Sequence, residues 1–158
     1  MGRKKSVILI GVGGVGKTTL IWRLIGLSLT PAATRRPGVY RLFYEDKLYE
    51  IVDVPGQAAF EIAQAVASAP TLFFDRALLV YDLTREDTLR ALFDIMDALC
   101  LFKRCLSARE VWVVGNKRDL AERYGVVYDV DPASLGARRL EKISALYDPA
   151  YELARLLP

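Results

Sequence analysis

Hydrophobic positions along this chain follow two periods, and each change of period marks an element. Val7 to Ile10 are all apolar, so Ser6–Ile10 predicts a strand buried on both faces. The glycine-rich Gly11–Lys17 follows as a loop, and Thr18–Leu27 returns to helical spacing. Leu29–Gly38 carries two prolines and predicts a loop. Val39–Glu45 alternates, Asp46-Lys47 fits a hairpin turn, and Leu48–Val54 predicts the return strand, ended by Pro55-Gly56. Ala58–Ser68 predicts a helix before Pro70. Ala77–Tyr81 and Glu110–Gly115 predict buried strands. Between them, Leu89, Leu92, Phe93, Met96, Leu99 and Leu101 give Thr88–Leu106 helical spacing. Ala121–Arg139 is weakly patterned, with a short helix expected near Pro132. Leu140–Ile143 predicts an edge strand. Asp148-Pro149 predicts a final helix, with Asp148 as cap and Pro149 in the first turn.

This alternation of strands and helices, broken by one hairpin, predicts an α/β fold in three layers, α/β/α. Its sheet is expected to be mostly parallel and six-stranded, with one antiparallel strand. Ligands of such sheets bind at the carboxyl ends of the strands.

Composition narrows the picture. The 158 residues are 53% hydrophobic and 26% charged, which excludes extended disorder and fits one domain over residues 1–158. No apolar run is long enough to span a membrane, and no secretory signal is visible, so stable membrane insertion is not expected and the expected location is cytoplasmic. The net charge of +3 is mild, and Arg3, Lys4 and Lys5 read as a solvated tail, so no nucleic-acid partner is expected. Gly2 and Ser6 formally fit a myristoylation pattern, but the pattern is short and weighs little. Cys100 and Cys105 stand five apart in a helical pattern, and the rise of roughly 7.5 Å between them is too long for a disulfide. Histidine is absent, which removes histidine general-base chemistry, and no metal-ligand spacing points to zinc. One Asn, two Gln, two Met and two Cys make the chain poor in thermolabile residues, as thermophile proteins are. The single Asn is Asn116, and one of the two Gln is Gln57. Both lie in motifs.

Gly11-Val12-Gly13-Gly14-Val15-Gly16-Lys17-Thr18 is a G-x-x-x-x-G-K-[ST] phosphate loop between a buried strand and a helix. Backbone amides over Gly13, Gly14, Val15 and Gly16, continued through Thr18 and Thr19 at the helix start, suit a nested anion. Lys17 suits β- and γ-phosphates, and the Thr18 hydroxyl suits Mg²⁺. Asp53-Val54-Pro55-Gly56-Gln57 ends the hairpin's return strand. A carboxylate there is costly unless paired, and a nearby Mg²⁺ supplies the reason for Asp53. Gly56 can offer its N–H to a γ-phosphate, and Gln57 can orient an attacking water. Asn116-Lys117-Arg118-Asp119 follows another buried strand.

With this third motif the chain resembles the small GTPases of the Ras superfamily, whose guanine-reading motif is N-K-x-D, and the resemblance runs from Val7 to Leu157. It implies a P-loop NTPase fold. A carboxylate at Asp119 accepts from the N1–H and 2-amino group of guanine together, which adenine cannot match. The resemblance has Asn116 tying the loop to the phosphate loop and Lys117 packing over the base. It also implies a switch I (about residues 28–38) and a switch II (about 55–69) that sense the γ-phosphate, and a switch I threonine on Mg²⁺. Thr34 is the first candidate for that ligand and Thr30 the second. Ser144-Ala145-Leu146 stands where the family has S-A-K, so backbone contact to the guanine oxygen survives and the lysine does not. Pro55 replaces the small residue usual before the switch II glycine. No lipid-anchor tail is seen, which argues against permanent membrane attachment.

The resulting expectation is a GTP/GDP-binding, Mg²⁺-dependent switch with slow GTP hydrolysis, Lys17 and Gln57 being the catalytic residues. An activating protein, exchange factor or effector is implied by the family. Arg35 or Arg36 is considered as an arginine finger in cis, against a solvated or partner-binding role. The competing expectation is a GTP/GDP-binding interaction module that does not hydrolyse. An ATP-using kinase is disfavoured, since there is no room for a lid.

Overall fold

The computed structural model describes residues 4–28, 33–36, 38–54, 56–68, 73–101 and 106–158, with 33–36 described by backbone alone. In chain order the elements are β1 (Lys4–Ile10), α1 (Lys17–Ile25), β2 (Ala33–Arg36), β3 (Val39–Tyr44), β4 (Lys47–Asp53) and α2 (Ala59–Ala67). There follow β5 (Phe74–Asp82), α3 (Glu86–Leu101), β6 (Ala108–Asn116), α4 (Arg118–Tyr124), a 3₁₀ turn at Pro132–Leu135, β7 (Arg139–Lys142), and α5 (Ala150–Leu153) running into a second 3₁₀ turn.

The strands form one sheet in the order β2-β3-β4-β1-β5-β6-β7. β4, β1, β5, β6 and β7 are mutually parallel, and β3 runs against β4. The six expected strands and the single reversed strand are therefore present. A seventh strand, β2, is added at the edge, antiparallel to β3 and so aligned with β4.

The side chains of β1 separate the two cores, as strand period dictates. Ile8 and Ile10 join Leu79, Tyr81 and Val113 under Ile62 and Val66 of α2 and Leu89, Leu92 and Ile95 of α3. Val7 and Leu9 join Leu78, Val80 and Val114 under Leu20, Ile21 and Leu24 of α1 and Leu153 of α5. Fully burying one such side chain stabilises by roughly 1.5–3 kcal/mol. These two cores hold the carboxyl ends of β1, β4, β5 and β6 at one rim.

Local chemistry explains where the elements differ from the pattern. The hairpin turn is Glu45-Asp46, one residue earlier than expected, because both residues adopt positive φ (48° and 63°) and Tyr44 pairs with Lys47. That is the two-residue turn whose twist matches antiparallel strands. α4 starts at Arg118, within the N-K-x-D motif, and runs on into the stretch from Ala121 expected to be weakly patterned. Its signal was Gly125, which closes it at φ 67° after a run of good helix formers. The final helix starts at Ala150, and Asp148 does not cap it. Asp148 is buried instead, turned toward Arg118 and the Ser144 amide. Leu101, the last described residue of α3, is exposed, and residues 102–105 of the helix expected to reach Leu106 lie outside the described residues. Cys105, Thr30, Pro55 and Pro70 fall outside the described residues.

Candidate functional site

The turn between β1 and α1 lines a cavity of about 420 Å³ with Gly13, Gly14, Gly16, Lys17, Thr18, Thr19, Asp53, Gly56 and Gln57. Lys17 reaches across it, donating to the Val54 carbonyl at 2.8 Å and pairing with Asp53 at 2.9 Å. Asp53 Oδ1 is buried, accepts no hydrogen bond of good geometry, and has that ammonium beside it. Gln57 lies over Gly13, where a side chain would collide with its carboxamide. Glu61 accepts from the Gln57 backbone N–H at 3.2 Å, fixing the start of α2.

A second cavity of about 230 Å³ adjoins at Gly16 and Thr19, and is lined by Asn116, Lys117, Asp119, Leu120, Ala145, Leu146 and Tyr147. Asn116 is buried and joins three segments. Its Nδ2 donates to the Val15 carbonyl at 2.9 Å, and its Oδ1 accepts from the Ala145 N–H at 2.9 Å. Gly16 is required at its position twice over. Its φ is 89°, and a Cβ would stand 2.3 Å from Asn116 Nδ2. Lys117 donates to the Gly14 carbonyl at 2.7 Å and pairs with Asp82 at 3.2 Å. The Ser144 hydroxyl donates to Asp119 Oδ1 at 2.9 Å, leaving the other carboxylate oxygen for the pocket. Leu146 is largely exposed at the pocket rim.

The donor set at the first cavity suits a hard divalent cation. The Thr18 hydroxyl and the under-satisfied Asp53 carboxylate are the one-or-two-ligand arrangement that Mg²⁺ accepts when it keeps waters and phosphate oxygens. Thr34 is not brought to this place. β2 sets its backbone opposite Tyr40, and Tyr40 stands opposite Ile51, two residues before Asp53. Two strand spacings and two residues of rise put Thr34 about 12 Å from Asp53, backbone to backbone. Arg35 and Arg36 lie in the same edge strand.

Three contributors escaped sequence reasoning. Asp82 ends β5, is buried, holds the Thr84 amide and hydroxyl, and anchors Lys117. A carboxylate closing an apolar strand was its signal, the same one that marked Asp53. Arg118 grips Asp148 with two nitrogens and donates to the Lys142 carbonyl at 3.0 Å. Burial alone would raise the Asp148 carboxyl, but the Arg118 guanidinium and the Ser144 amide outweigh it and hold it below the ordinary carboxylate value. Arg23 on α1 donates to the carbonyls of Ala145, Leu146 and Asp148 at 2.7, 3.0 and 2.6 Å. No local pattern signals a contact made across more than a hundred residues.

A glycine cradle at a helix start, next to a pocket that presents a carboxylate, defines a P-loop nucleotide-binding fold. The Ras family model matches residues 6–143, and the chain belongs to the Ras family of small GTPases. Among curated proteins it is similar to Ras-related protein Rab-22A of dog, 32% identical over 98 residues covering 57% of this chain and 48% of that protein. The mouse Rab-22A is 29% identical over 128 residues, 76% of this chain and 62% of the relative. The chain thus spans about half to three-fifths of these relatives' length. Among solved structures, the FeoB G-domain of Methanococcus jannaschii superposes with a TM-score of 0.68 at 22% identity, over 98% of this chain and 95% of that one. That likeness speaks to fold alone. No helix among the described residues is long and apolar enough to cross a membrane.

Proposed function

We propose that this chain is a guanine-nucleotide switch that binds GTP and GDP with Mg²⁺ and slowly cleaves GTP to GDP and phosphate. The observation that carries this reading is the continuity of the two cavities through Gly16, with Gln57 over the phosphate loop and Asp119 in the pocket beyond it.

The phosphates lie in the Gly13–Thr19 cradle, and Asp119 accepts from the two guanine donors. The amides around Ala145 face the base's keto oxygen. Lys17 exchanges its pairing with Asp53 and Val54 for the β- and γ-phosphate oxygens. Thr18 and Asp53 would hold Mg²⁺, which would supply positive charge to the phosphate oxygens. The Gln57 carboxamide orients a water whose oxygen bonds to the γ-phosphorus as the bond to the β–γ bridging oxygen breaks, the water's proton passing to the released phosphate. Positioning and charge are most of what this reaction asks of a protein. Residues 28–38 and 55–69 then respond to loss of the γ-phosphate, and an activator, exchange factor or effector reads that response.

Hydrolysis of GTP and ATP with Mg²⁺, in wild type, Gln57→Ala and Asp119→Ala, tests the reading. GTP-only cleavage, slowed by Gln57→Ala, supports it. Tight GTP binding with no cleavage in any version favours a static nucleotide-binding module. That second reading draws on β2, which places Thr34 away from Asp53. Equal partner binding with GDP and with a non-hydrolysable GTP analogue would also favour it.

A further inference from the structure

The loop Ser144–Asp148 has a fastening that the N-K-x-D motif does not provide. Arg23, in the last turn of α1, spends one guanidinium on three carbonyls of this loop, those of Ala145, Leu146 and Asp148. A planar fork presents two nitrogens to carbonyls that stand apart, whereas an ammonium gathers its three donors on one. α1 is also the helix whose first turn completes the phosphate cradle.

In a trans peptide the C=O and the following N–H point in opposite directions. With the Ala145 carbonyl drawn to Arg23, the Leu146 N–H is turned to the other side of the loop. Arg23 does not line the base pocket, whereas Ala145, Leu146 and Tyr147 do. The neighbouring Ala145 N–H is already engaged by Asn116 Oδ1 at 2.9 Å.

We infer that Arg23 is a positioning residue of the base site, aiming the Leu146 amide at the keto oxygen of the bound purine by holding the peptide from behind. The inference rests on the guanine reading above. Arg23 thereby fixes the loop where Leu146 stands in place of a lysine, and it ties base recognition to the phosphate-binding helix.

The test compares Arg23→Ala, Arg23→Lys and wild type for binding of GDP and of 6-thio-GDP. The thio analogue keeps both donors that Asp119 reads and carries a poor acceptor at position 6. Wild type should prefer GDP by about tenfold, the worth of one good hydrogen bond. Arg23→Ala should lose most of that ratio and release GDP faster, while its affinity for 6-thio-GDP changes little. Arg23→Lys, reaching one carbonyl at a time, should fall between. Equal weakening toward both nucleotides, with the ratio kept, would show a merely structural role and overturn the inference. If Arg23→Ala does not fold, the ratio in Arg23→Lys decides, and an unchanged ratio overturns it. Wild type that binds neither nucleotide overturns the guanine reading itself, a separate outcome.

Discussion

Gln57 Oε1 rests on the α-carbon of Gly13, so that a Cβ built there would stand 2.1 Å from it. The collision is with a side chain, which can move, so the fold tolerates a larger residue while Gln57 does not keep its place. Gly13→Val should retain GTP binding and cut single-turnover hydrolysis by about 10²-fold, the scale of loss from a displaced positioning group. Rapid-quench cleavage of pre-bound GTP checks it, and wild-type rates in the variant would remove Gln57 from the reaction.

Asp119 is oriented by the Ser144 hydroxyl and has one oxygen turned to the pocket. Replacing the carboxylate by a carboxamide exchanges an acceptor for a donor. Asp119→Asn should weaken GDP binding by about 10²-fold or more and raise the affinity for xanthosine diphosphate, whose 2-oxo group needs that donor. Competition between the two diphosphates for a fluorescent nucleotide measures the reversal.

Removing the divalent cation should release nucleotide. If Thr18 and Asp53 hold Mg²⁺ between protein and phosphate, excess chelator should speed GDP dissociation by about tenfold or more. Asp53→Asn should blunt that response. A dissociation rate indifferent to chelator would argue that Lys17 alone answers the phosphate charge.

Asp148 ties the acid limb of stability to the base loop. Its folded pKa lies below the unfolded value of about 4, because Arg118 and the Ser144 amide favour the charged form against the cost of burial. The sign is that of a depressed carboxylate. The contribution is complete above about pH 5 and is lost as pH falls through the folded pKa. Asp148→Asn should cost about 2–3 kcal/mol near neutral pH and flatten the decline of melting temperature between pH 5 and 3. Denaturant melts at several pH values decide.

Much of this was legible in the chain because each motif is a contiguous run at the end of a buried strand. Gly11–Thr18, Asp53–Gln57 and Asn116–Asp119 advertise themselves by residue type and spacing. The scarcity of amides also marks Asn116, which bridges Val15 and Ala145. What stayed hidden depends on tertiary partners. Asp148 followed by proline has the local form of a helix cap, yet Arg118, thirty positions away, claims its carboxylate. Arg23 looks like any basic residue ending a helix until the loop at 145–148 is placed against it. β2 sits in a proline-bounded stretch whose pattern predicts a loop, and the open edge of β3 gives it hydrogen-bonding partners.

If residues 28–38 switch as proposed, that four-residue edge strand works as a detent. Thr34 can then approach Asp53 only by leaving its ladder with β3, so backbone pairing enters the threshold for that movement. To move such an equilibrium from about 1:99 to about 99:1 in favour of release, GTP must bind the released form about 10⁴-fold more tightly than the docked one. A protein built this way would idle firmly, and the edge of β3 that it uncovers on release would be fresh backbone that no resting copy presents.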